Sequence, residues 1–199
     1  MAVKVLGISA SPRVDGSSDL LLRQALAGAE SAGASTEYAG LRDFRIAPCD
    51  ESNACYATGK CRIQDDFQLI LQKMLDADRL IFATPVFFMT VCAQAKLLID
   101  RCQCLWAHKY VLKKPLFTTG RNRRAVVIAV GGSKSKKMFE SVHLTMKYWF
   151  DVLEFNYVAD LFINQIDEPS RIKQHPTVLN DAYRLGRDLA SPEMPTHNA

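Results

Sequence analysis

Residues 7–22 read GISASPRVDGSSDLLL, with hydroxyls at Ser9, Ser11, Ser17 and Ser18 and a guanidinium at Arg13. The stretch joins an apolar run to a periodic one, and a plain connector would need far fewer polar residues. Hydroxyl donors and a cation just ahead of a helix suit an anion. The first helical turn offers unpaired N–H groups and the positive end of the dipole. The spacing lacks both the G-x-G-x-x-G dinucleotide fingerprint and the G-K-[ST] of a Walker loop. A hydroxyl-rich loop without glycine triplets suits a terminal monophosphate. The competing reading is an elaborate helix cap, with Ser17 or Ser18 closing the helix start.

Other stretches carry comparable chemistry. TPVFFMT (84–90) puts a proline and aromatics at a strand end, where Phe87, Phe88 and Met89 can wall a flat ring. AVGGSKSKK (129–137) holds Gly131 and Gly132, which let backbone approach a ligand, and lysines that either meet phosphates or are simply solvated. CDESNACYATGKC sets Cys49, Cys55 and Cys61 in a C-x5-C-x5-C pattern, while Cys92, Cys102 and Cys104 read as core thiols. No cysteine is followed six residues later by arginine, so the thiol-phosphatase pattern fails. The histidines show no metal-ligand spacing, and no Ser-His-Asp arrangement is identifiable.

These loops must be held by regular elements. Short β-branched runs predict strands over 3–9, 35–41, 79–84, 124–132 and 154–164, the second at an edge and the third broken by Pro85. Apolar periodicity predicts helices over 17–33, 64–77, 91–106, 133–153 and 175–190, with a long cysteine-bearing loop over 42–63. Alternating strands and helices imply an α/β, flavodoxin-like, doubly wound parallel sheet of five strands in the order 2-1-3-4-5, with helices on both faces. Ligands of such sheets bind outside the carboxyl ends of the strands, where the order reverses. The loops singled out above all leave those ends. One domain over 1–190 with a frayed tail over 191–199 is expected.

Composition is that of a globular chain, 48% hydrophobic and 23% charged with a net charge of +4. No apolar stretch approaches a membrane span, and the start lacks a signal-peptide core, so a cytoplasmic protein is expected. Residues 101–139 hold ten Lys and Arg and no Asp or Glu. Such a run is either a solvated face or a docking patch for an acidic partner. No nucleic-acid-binding signature accompanies it.

The order of SASPRVDGSS, then CRIQDDFQLILQKMLDADRLIFATPVFFMTVCAQAKLLIDR, then VVIAVGG resembles the NADPH-dependent FMN reductase and iron–sulfur flavoprotein group. The resemblance implies FMN, with its phosphate at Ser9, Ser11, Arg13, Ser17 and Ser18. Its ring would lie along Pro85, Val86, Phe87, Phe88 and Met89 and along Gly131, Gly132 and Ser133. It also implies NAD(P)H as hydride donor, a quinone, flavin, metal ion or protein as acceptor, and a homodimer or homotetramer. No catalytic side chain is demanded, because the flavin carries the chemistry. The alternative is an FMN electron carrier that does not use NAD(P)H directly. The cysteine loop departs from the group. Iron–sulfur members carry C-x2-C-x2-C-x5-C, matched here at Cys49, Cys55 and Cys61 with Ser52 in the second place. A [4Fe–4S] cubane takes four thiolates. A cluster-free loop is therefore expected, with a cluster on those three cysteines and a further ligand as the alternative.

Overall fold

Strand β1 (Lys4–Ser9) lies between β2 (Ser35–Gly40) and β3 (Arg79–Phe87), and β5 (Arg124–Val130) and β6 (Asn156–Ile163) extend the sheet beyond β3. All of these pairs are parallel. Counted without the short β4 (Thr90–Val91), this is the expected 2-1-3-4-5 order of a flavodoxin-like sheet. The computed structural model describes residues 2–118 and 120–192, without the side chains of 169 and 170. The expected frayed tail lies outside the described residues from 193 onward.

Period-two alternation assigns the faces. Leu6, Ile8, Leu80, Phe82, Val127 and Ala129 join one core with α3 (Phe67–Asp76), α4 (Ala93–Arg101) and α6 (Met138–Val152). Val5, Ile81, Ala83, Val126, Ile128 and Val130 join the other with α1 (Ser17–Ser31) and α8 (Val178–Ala190). The latter two helices cross with backbones touching. A Cβ on Gly28 would run into the Tyr183 carbonyl, and one on Gly186 into that of Ala25.

Several local expectations need correction. β3 does not break at Pro85. Pro85 keeps its place opposite Val130, and the chain then folds back onto β4 through Phe88 and Met89 at φ 48° and 65°. Such left-handed pairs make the tight hairpin turn that strand twist favours. Neither Ser17 nor Ser18 caps α1: the N-cap is Gly16, with no side-chain capping bond. The third predicted helix is α4, then a short α5 (Gln103–Trp106) and a π-helical turn over Ala107–Val111. The cysteine loop holds a 3-10 turn (Leu41–Asp43) and the short α2 (Cys55–Thr58), and α7 (Pro169–Gln174) precedes α8. The basic run does not form one face. Arg101 and Arg123 are buried, while Arg121 pairs with Asp78 at 2.7 Å and Lys109 with Asp151 at 3.0 Å. Arg123 donates to the carbonyls of Ala77 and Met74 and stacks on Phe155 at 3.6 Å, and burial drives it down to about 9.

Candidate functional site

At the carboxyl edge of β1, β3, β5 and β6 lies an open cleft of about 240 Å³, and its floor begins with the β1–α1 loop. The Ala10 N–H donates to the Ala83 carbonyl at 2.8 Å and ties that loop to β3. The Ser11 hydroxyl donates to the Arg13 carbonyl (2.9 Å) and accepts from the Arg13 N–H (3.2 Å), forming a local turn. Inside α1 the first bond runs from the Leu20 N–H to the Gly16 carbonyl at 2.9 Å. The helix itself therefore leaves the N–H groups of Ser17, Ser18 and Asp19 unspent, at the positive end of its dipole. Ser11, Arg13, Ser17 and Ser18 all line the cleft there.

Ser9 is different. It is fully buried beneath the loop and outside the cleft lining. Its hydroxyl misses hydrogen-bond geometry, and its dipole favours the neighbouring Asp19 carboxylate. Asp19, also fully buried, accepts from the Asp15 N–H (3.3 Å), Arg23 Nε (3.2 Å), the Tyr38 hydroxyl (2.5 Å) and Arg42 Nη1 (3.4 Å). Burial pushes its carboxyl up, but the Ser9 and Tyr38 hydroxyls with Arg23 and Arg42 outweigh that and hold it below the usual carboxylate range. A buried acid thus anchors the anion loop to the end of β2.

Pro85, Val86 and Phe87 form one wall, while Phe88 and Met89 stand beyond it at the hairpin tip, Phe88 fully exposed. The Ser141 hydroxyl donates to the Met89 carbonyl. Val130, Gly131 and Gly132 form the other wall, and Ser133 lies outside it, accepting from the Ser135 N–H at 3.1 Å. Ile166 and Asp167 also line the cleft and were missed by sequence reasoning. The Ile166 N–H bonds the Gly131 carbonyl at 3.2 Å, and Asp167 sits so close to Gly132 that a Cβ there would collide with its carboxylate. The available signal was topological: the last parallel strand opens on the same edge as the others. Chemically, the cleft joins free N–H donors and a cation at one end to apolar walls and a carboxylate acceptor further along. That donor set fits a phosphate, and the walls fit a flat ring.

A second cleft, of about 250 Å³, is lined by Cys49, Cys55, Cys61 and Ser52, so the loop cysteines do share one surface. Among the described residues, no three His, Cys, Asp or Glu side chains converge closely enough to hold a metal ion. All six thiols are free. Cys92, Cys102 and Cys104 are buried as expected. Burial pushes the Cys104 thiol up to about 12 and that of Cys102 further still. No helix among the described residues is long and apolar enough to cross a membrane.

Comparison with known proteins adds to this geometry. An iron–sulfur flavoprotein of Methanocaldococcus jannaschii is 40% identical over 133 residues, which are 67% of this chain and 64% of that relative. The chain thus spans less than two thirds of that relative's length. An iron–sulfur flavoprotein of Methanosarcina thermophila is 33% identical over 144 residues, 71% of each chain. The solved NAD(P)H:quinone oxidoreductase of Methanothermobacter marburgensis superposes with a TM-score of 0.71, covering 97% of this chain and 100% of that one. At 19% identity that likeness is one of fold. Residues 3–165 match the family model described as NADPH-dependent FMN reductase, and the chain belongs to that family.

Proposed function

We propose that this protein is an FMN-dependent oxidoreductase that takes electrons from NAD(P)H and passes them to a quinone, a flavin, a metal ion or a protein. The observation that carries the proposal is the uncapped start of α1, beside Arg13 and the Ser11–Ser18 hydroxyls, where the strand order reverses. The N–H groups of Ser17 and Ser18, the Ser17 hydroxyl and the Arg13 guanidinium hold the phosphate, and Ser11 shapes the loop that presents them. Pro85–Phe87 and Gly131–Gly132 flank the ring, and Asp167 offers an acceptor to its polar groups. Bound FMN supplies hydride acceptance and onward electron transfer. The chain's own part is to bind, orient and leave the open side of the cleft to the donor. No side-chain acid or base is required of it. Residues 1–190 act as one FMN-binding domain, working as a homodimer or homotetramer in the cytoplasm.

Titration with FMN and riboflavin tests the site. Arg13→Ala combined with Ser17→Ala is expected to weaken FMN at least about a hundredfold, at roughly 1.5–3 kcal/mol per charged hydrogen bond. Riboflavin, which lacks the phosphate, should bind the variant as it binds the native chain. Equal losses for both ligands would refute the phosphate assignment. Anaerobic mixing of the FMN-loaded protein with NADPH or NADH then tests the reaction. Rapid bleaching of the flavin supports the reductase, and no bleaching with either leaves a carrier instead.

A further inference from the structure

We propose that the Cys49–Cys61 loop of this chain is clasped by arginine where the iron–sulfur relatives would use a metal cluster, and that it is not an iron–sulfur site. The donor set does not fit a cubane. Ser52 stands in the second ligand place, and a neutral hydroxyl is a far poorer iron ligand than a thiolate. That hydroxyl is also engaged, accepting from Arg62 Nε at 3.0 Å. The same guanidinium pairs with Asp50, whose carboxylate in turn accepts the Ser52 N–H at 3.2 Å. Arg62 thus ties the Asp50–Ser52 segment to the far end of the loop, in the cleft that the three loop cysteines line. A fork of fixed N–H donors can hold a carboxylate and a hydroxyl at once, which a lysine could not do in the same way.

The base of the loop is closed independently. Buried Arg101 donates to the Ala47 carbonyl at 2.9 Å and the Ile63 carbonyl at 3.1 Å and pairs with Asp65 at 2.6 Å. Asp65 accepts the Ala47 N–H at 2.8 Å. On its side, Tyr56 of α2 packs against Trp106 with ring centroids 6.0 Å apart. Base, tip and flank are each fastened by contacts between protein groups.

Anaerobic reconstitution of the full chain with ferrous iron and sulfide, followed by desalting, tests the first half of the proposal. Far less than one iron per chain is expected. One iron or more per chain, up to about four in a cubane, overturns it. Chymotrypsin cleavage at Tyr56 tests the clasp. Arg62→Ala should raise that cleavage rate about two- to fivefold, the scale of an exposed ion pair, with the thermal midpoint unchanged. An unaltered rate overturns the clasp.

Discussion

Asp19 collects four donors in a buried site, and removing its charge leaves two guanidinium groups facing a neutral amide. Asp19→Asn should cost about 2–4 kcal/mol, as when one partner of a buried pair is lost. The pH dependence has a definite sign. The folded carboxyl titrates below its ordinary value, so its contribution is complete above the unfolded pKa of about 3.9. The contribution is lost as pH falls through the lower folded value. Denaturant titrations should therefore show a gap between native chain and variant that is constant near neutrality and closes in acid. A gap that persists in acid would mean that shape, not charge, matters at this position. The sequence displayed the cleft residues Ser11, Arg13, Ser17 and Ser18 because hydroxyls ahead of a periodic run have few other uses. It hid the role of Asp19, which reads as an ordinary first-turn acid, and it promoted Ser9. A strand residue's facing depends on register, and register only the assembled sheet defines.

At the level of elements, the β3–β4 turn and the α1–α8 crossing carry opposite messages. Phe88 and Met89 occupy left-handed backbone that costs side-chain-bearing residues roughly 1–2 kcal/mol each. Replacing Met89 by Gly should therefore stabilise the fold by about 1 kcal/mol and raise the thermal midpoint by about 2–4 °C. A fall in the midpoint would show that the Met89 side chain contributes more than its backbone costs. At the crossing, Gly186→Ala drives a methyl into the Ala25 carbonyl, and neither backbone can yield without moving a helix. Thermal melts should show a loss of about 2 kcal/mol or more. The hairpin was illegible because a proline ordinarily ends a strand, whereas here Pro85 stays in line opposite Val130 at the sheet's end. The five main helices were legible from periodicity. The short α2, α5 and α7 were not, since four to six residues cannot display a period.

For the molecule as a whole, the cleft gathers loops that follow four strands distant in sequence, so filling it should tie them together. Ligand at about a hundred times its dissociation constant adds roughly 2.7 kcal/mol to stability. FMN at that excess should raise the thermal midpoint by about 5–10 °C, and riboflavin at the same concentration by less. The strand order was readable from the alternation of elements, because a parallel sheet needs crossovers and crossovers need helices. The basic run looked like a surface and proved partly interior. A sequence does not reveal that Arg101 turns inward to Asp65 and the Ala47 carbonyl, or that Arg123 spends its charge on buried carbonyls.

The contact between Cys92 and the anion loop turns one thiol into a clock. Its Sγ–H donates to the Ala10 carbonyl at 3.0 Å, behind the Ser11–Ser18 end of the cleft, where the phosphate is proposed to sit. A maleimide can reach that sulfur only when the loop lifts, so its labelling rate reports the frequency of local opening. Cys49, Cys55 and Cys61 are all more accessible and should label first, and peptide mass spectrometry separates them from Cys92. Saturating FMN at about a hundred times its dissociation constant should slow the Cys92 phase up to about a hundredfold while leaving the loop thiols unchanged.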